Sequence, residues 1–95
     1  MKRRVVLARA VERDLVRLSD FLAGKSPQAA RRSADAIKAA VRSLGAFALR
    51  GRVTASDLRE LNVEFGRDGY VIQYRVEDDR VLVLRLFHAL EDREP

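Results

Sequence analysis

The spacing of apolar positions along this chain of 95 residues changes period twice. Residues 2–8, KRRVVLA, form a short extended run with Val5 and Leu7 on one face and Val6 on the other. Val11, Leu15, Leu18 and Leu22 then recur at steps of four, three and four, which is one stripe of an amphipathic helix. The pattern predicts a helix over 10–23, with Glu12, Arg13, Arg17 and Asp20 outside and Gly24 closing it in a left-handed cap. Ser26-Pro27 opens a second helix, because serine accepts from free N–H groups and proline at the first position forfeits no hydrogen bond. Ala30, Ala34, Ile37, Val41 and Leu44 carry its stripe. A short connection between two matched stripes predicts an antiparallel helical hairpin.

The period then shifts to two. Residues 45–57, GAFALRGRVTASD, lack steady alternation and read as a loop. LRELNVEF (58–65) places Leu61, Val63 and Phe65 on one face and Glu60, Asn62 and Glu64 on the other. GRDG (66–69) reads as a turn, YVIQYRV (70–76) as a second strand and EDDR (77–80) as another turn. VLVLRLF (81–87) is apolar on both faces except at Arg85, the signature of a central strand covered on both sides. The expected order is β-α-α-β-β-β in one domain over 1–95. The class is α+β, with the helical hairpin packed on one face of a mainly antiparallel sheet, since its stripes have nothing else to cover.

Composition narrows the functions. The net charge of +5 reads either as a solvated, arginine-rich surface or as a match for a partner carrying negative charge, nucleic acid or an acidic peptide. Aromatics distinguish the two kinds of partner, because single-strand binders stack bases on several exposed rings. Only Phe21, Phe47, Phe65, Tyr70, Tyr74 and Phe87 are present, mostly at expected core positions, so direct nucleic-acid binding is not expected. The absence of cysteine excludes disulfides and thiolate metal sites. No apolar run approaches the ~18–20 residues that span a bilayer. Arg9, Glu12, Arg13 and Asp14 interrupt what starts like a signal peptide, so a cytoplasmic location is expected.

The search for chemistry finds little. His88 is the sole histidine, so no metal constellation, Ser-based triad or cofactor site is expected. It is either a general acid–base or an anchor at a strand end. Arg59 and Arg85 stand where arginine is costly to bury. Arg85 is expected to be paired internally, with Asp78, Glu64 or a tail acid; Arg59 is open between structure and partner contact.

The run LRELNVEF…YVIQYRVEDDRVLVLRLFHALEDR, behind a hairpin broken by SPQAARR, resembles the RelE/ParE superfamily of type II toxin–antitoxin toxins. It looks most like the ParE, or plasmid-stabilisation, branch. Pro27, Leu58-Arg59, Tyr70, Tyr74, Leu84-Arg85, His88 and Asp92-Arg93 stand in the family's order. The resemblance implies a toxin covered by a ParD-like antitoxin in a hetero-oligomer, and either of two activities. RelE-like members cut mRNA on the ribosome, for which His88, Arg85 and Arg93 are the alternative catalytic set. ParE-like members inhibit DNA gyrase by protein contact. Glu60, Asn62, Glu64, Val71, Leu90 and Glu91 fall where the nucleases carry basic or aromatic residues, which favours the gyrase branch. Arg59, His88 and Arg93 are then the expected target surface. Arg31, Arg32, Lys38 and Arg42 are the expected antitoxin surface. A non-toxic member that only binds its antitoxin is the remaining alternative.

Overall fold

The computed structural model describes residues 2–55 and 57–92. Strand β1 (Arg4–Leu7) leads into helices α1 (Arg9–Ala23) and α2 (Pro27–Ser43). A 3-10 turn (Ala48–Arg50) follows, then β2 (Arg52–Ala55), β3 (Leu58–Val63), β4 (Tyr70–Val76) and β5 (Arg80–His88). The strands form one sheet in the order β1-β5-β4-β3-β2. β1 runs parallel to β5, and the other pairs are antiparallel. The two helices cover one face, and Val11, Leu18, Ile37, Val41 and Leu44 meet Leu61, Ile72, Tyr74, Val81, Val83 and Leu86 in a single core.

The helix ends show what sequence rules capture. Ser26 accepts from the Ala29 amide at 3.1 Å and Pro27 opens α2, as expected. Gly24 is not the left-handed cap expected of it. Its backbone is right-handed (φ −63°, ψ −21°), and the Lys25 and Ser26 amides instead tighten onto the Leu22 carbonyl. The apolar stripes hold, with Val11 and Leu18 buried on α1 and Ala30, Ile37, Val41 and Leu44 buried on or just beyond α2.

The expected loop over 45–57 contains a strand. β2 pairs with β3, matching Arg52 to Glu60 and Val53 to Arg59. Its four residues are all exposed and carry no readable alternation, so hydrophobic periodicity could not reveal it. Long-range polar contacts hold the segment instead. The Tyr74 hydroxyl donates to the Ala48 carbonyl at 2.7 Å and accepts from the Gly51 amide at 2.8 Å. Arg59 Nη1 donates to the carbonyls of Gly51 at 2.8 Å and Leu49 at 3.3 Å. Gly51 is required there, since a Cβ would lie 2.8 Å from the Tyr74 ring. Glu60, expected to face solvent, is buried and ion-paired with Arg52 at 3.0 Å.

β5 lies inside the sheet between β1 and β4, and it is bulged. Gln73 faces Arg85 while Tyr74 faces Val83, so Leu84 is the extra residue. Strict alternation from Val81 and Val83 would send Arg85 into the core. The bulge resets the phase, and Leu86 takes the core place with 1% of its surface exposed. Leu82 and Leu84 are only half-buried, so the strand is less fully covered on its second face than its composition suggests.

Candidate functional site: two surfaces flanking helix α1

β1 accompanies β5 only from Arg80 to Val83. Beyond that point the edge of β5 has no strand neighbour, and α1 fills the gap with side chains. Asp14 Oδ2 accepts from the Leu86 amide at 2.9 Å, and Arg17 Nη2 donates to the Leu86 carbonyl at 3.3 Å. Glu91 Oε1 accepts from the His88 amide at 3.1 Å. Backbone groups that a strand would satisfy are thus met by a carboxylate, a guanidinium and a second carboxylate.

The same side chains join into a charged network. Arg85 grips Asp14 with two hydrogen bonds, Nε–Oδ2 at 2.8 Å and Nη2–Oδ1 at 3.0 Å. Arg17 reaches Glu91 at 2.7 Å and Asp14 at 3.4 Å. Burial pushes the Asp14 carboxyl up, but the bonds from Arg85 and the Leu86 amide, with the neighbouring positive charge, hold it below the usual carboxylate range. Arg85 is correspondingly raised, chiefly by its bond to Asp14. Arg85 was expected to pair with Asp78, Glu64 or a tail acid. Its partner lies 71 positions upstream on α1, because the bulge carries the guanidinium to the rim of that helix.

His88 closes this end of the molecule. Its Nδ1 accepts from the Leu90 amide at 3.1 Å, which in the neutral ring leaves the proton on Nε2. Its ring stands edge-on to Tyr70, with centroids 6.0 Å apart. A cavity of about 240 Å³ opens here, lined by Arg17, Leu18, Phe21, Tyr70, His88 and Glu91. On another side of α1, a second opening of about 280 Å³ lies between the helices, lined mainly by Leu7, Val11, Leu15, Ile37, Val41 and Leu86. Lys38 and Arg42 border it. Among the described residues, no cluster of histidine, aspartate and glutamate is arranged to hold a metal ion.

The sequence model for the family described as "ParE toxin of type II toxin-antitoxin system, parDE" matches residues 5–93. The chain belongs to the ParE toxin family. It is 40% identical over 89 residues to Toxin RelE3 of Caulobacter vibrioides, covering 94% of this chain and 97% of that one. Toxin RelE1 of the same organism is 37% identical over 89 residues, covering 94% and 96%. A solved structure titled "Chromosomal ParDE TA system from P. aeruginosa" superposes with a TM-score of 0.80 over 93% of this chain and 97% of that one. At 22% identity, that likeness concerns the fold.

In this ParE-family toxin, two of the residues expected at the target surface, His88 and Arg59, sit on different strand ladders. His88 faces Tyr70 across the β4–β5 ladder, whereas Arg59 faces Tyr74 across β3–β4, about 13 Å further along β4. Arg59 Nη1 is occupied by the turn after α2. Arg93 lies outside the described residues. The expected antitoxin residues Arg31, Arg32, Lys38 and Arg42 are all exposed on α2. Arg31, Lys38 and Arg42 share one side by helical spacing, and Arg32 falls on the outer side. Among the described residues none of the four has an ion-pair partner.

Asp14 and Phe21 were not expected at functional surfaces. Asp14 had a readable signal, since it falls between Val11 and Leu18 on the buried stripe. A carboxylate there calls for a cation, and Arg85 stood as the arginine within the most apolar strand. Phe21 offered none, because nothing local marks a phenylalanine as 69% exposed.

Proposed function

We propose that this ParE-family toxin inhibits DNA gyrase by protein contact and is neutralised by a cognate ParD-like antitoxin in a hetero-oligomer. The observation that carries the proposal is the commitment of Arg85 and Arg17, the two arginines of the charged network beside His88. Arg85 is doubly bonded to Asp14, and Arg17 is bonded to Glu91. Cleavage of an RNA phosphodiester needs cations directed at the developing phosphorane charge, already in place before reaction. Here a phosphate would have to displace carboxylates from both arginines and approach Glu91. A protein partner needs no such displacement.

The antitoxin reading is supported by the opening between the helices. Its lining is mainly apolar, and Lys38 and Arg42 border it with no ion-pair partner among the described residues. An acidic amphipathic segment, disordered until it binds, fits both features. The neighbouring structure, a ParDE system by its title, supports the same partner.

A second reading is ribosome-dependent mRNA cleavage, favoured by the RelE names of the curated relatives. One experiment separates the two. Purified protein is added to a gyrase supercoiling reaction and, in parallel, to programmed ribosomes. Lost supercoiling with intact mRNA is expected. Cut mRNA with normal supercoiling would overturn the gyrase assignment.

A further inference from the structure

We propose that the trough bounded by the end of α1, the β3–β4 turn and the end of β5 docks the toxin's protein target, by accepting one large apolar side chain flanked by a carboxylate. The inference rests on the protein-contact reading above and gives it a place and a ligand chemistry.

The trough is one feature built from two cavities. The opening of about 240 Å³ beside Arg17 adjoins one of about 160 Å³ beside the 66–69 turn. Phe21, Tyr70 and His88 line both. The Phe65 and Tyr70 ring centroids are 6.0 Å apart, and Tyr70 meets His88 edge-on. Single exposed apolar residues are ordinary on a protein surface. Phe21 is different, because it forms a wall of a concave apolar site.

The site is also held in shape before anything binds. Arg17 and Glu91 fix the turn after His88, whose amide and ring are both hydrogen-bonded. Gly69 adopts φ +79°, and a Cβ there would collide with the Val63 carbonyl, so the turn forming the other wall closes this tightly only with glycine. A rigid floor lowers the ordering cost of docking.

Charge selects the occupant. Lys25 Nζ sits 4.9 Å from the Phe21 ring centroid, and Arg67 lines the second cavity. Neither has a carboxylate partner among the described residues. Among the lining residues Glu91 is met by Arg17 and Asp68 stands beside Arg67, so Lys25 at the rim adds the cation in excess. The balance favours a segment bearing Asp or Glu beside its anchor. The trough has no lining residue in common with the opening between the helices. A toxin must recognise a target and an antitoxin, and this fold supplies two separate apolar surfaces.

The test uses the full chain and a series of short synthetic peptides, each with a central Phe or Leu flanked by Asp or Glu. Lys-flanked versions and a short oligouridine serve as controls. Binding is followed by fluorescence polarisation and by NMR. The acidic peptides are expected to shift Phe21, Tyr70 and His88 resonances, and Phe21→Asp to weaken them about tenfold or more. Lys25→Glu with Arg67→Glu should act likewise, whereas Lys38→Glu with Arg42→Glu should not. Phe21 is exposed, so its variant should keep the wild-type circular dichroism and Tm. The proposal is overturned if no acidic peptide binds, if shifts map to Ile37 and Val41, or if the oligouridine binds better. In the supercoiling assay, an inert wild type sinks the gyrase reading while the peptide result stands. A Phe21→Asp protein as potent as an active wild type sinks the trough alone.

Discussion

Two sides of one helix use arginine and lysine for opposite purposes. Toward β5, Arg85 and Arg17 are bound to Asp14 and Glu91, and the groups they satisfy belong to the fold. Toward α2, Lys38 and Arg42 stand exposed beside apolar walls with no carboxylate among the described residues. The net charge of +5 therefore misleads if read as one basic surface. What matters is which cations are already neutralised in the free protein, because only the others gain anything from a partner.

The sharpest way to break this contrast is Asp14→Ala. It leaves Arg85 without its partner and the Leu86 amide without an acceptor, and should cost about 3 kcal/mol in denaturant unfolding. A loss below about 1 kcal/mol would mean that the network contributes little beyond surface pairing. Replacing both partners, Asp14→Leu with Arg85→Met, should recover much of that loss, since neither charge is then stranded. On the other side, Lys38→Glu with Arg42→Glu should leave stability within about 0.5 kcal/mol. The same pair should weaken antitoxin binding about tenfold and flatten its dependence on salt in titration calorimetry. Unchanged affinity would place the electrostatic contact elsewhere, with Arg31 and Arg32 the next to reverse.

Acid should distinguish the sides more gently. Asp14 has a folded-state pKa below the ordinary value of 3.8, so its contribution is present above that value. It is lost as pH falls below 3.8 through the lowered folded pKa. Thermal melts from neutral pH downward should show an acid limb that flattens in Asp14→Ala. A limb of unchanged slope would assign it to other carboxylates. Within the network the smallest effect is expected for Arg17→Ala, a loss of under about 1 kcal/mol, because its side chain is 43% exposed.

Most of the fold was legible because burial leaves a period. The stripes at Val11–Leu22 and Ala30–Leu44, the Ser26-Pro27 cap and the β3–β4–β5 meander all follow from it. β2 was not legible, since all four of its residues are exposed and its place depends on Tyr74 and Arg59 far along the chain. The site was read less well for the same reason. Asp14 and Arg85 are 71 positions apart, and only their shared unsuitability for a core hinted at the pairing. Arg59 is open in the sequence between structure and partner contact, and only the fold shows Nη1 bound to the turn after α2. The trough needed three dimensions, because Phe21, Tyr70 and His88 come from three separate elements.

The extra residue at Leu84 has a consequence for how such a chain can vary. It is a phase marker: upstream the strand counts odd positions inward, and downstream it counts even ones. Flattening the bulge while keeping Leu84 would turn over everything from Arg85 onward, exchanging a salt bridge at the rim for a guanidinium among aliphatic side chains, whereas removing Leu84 would leave a regular ladder with Val83 and Leu86 still inward. Losing one residue between Val83 and Leu86 is therefore easier to accommodate than gaining one, which with the bulge kept would shift the phase again.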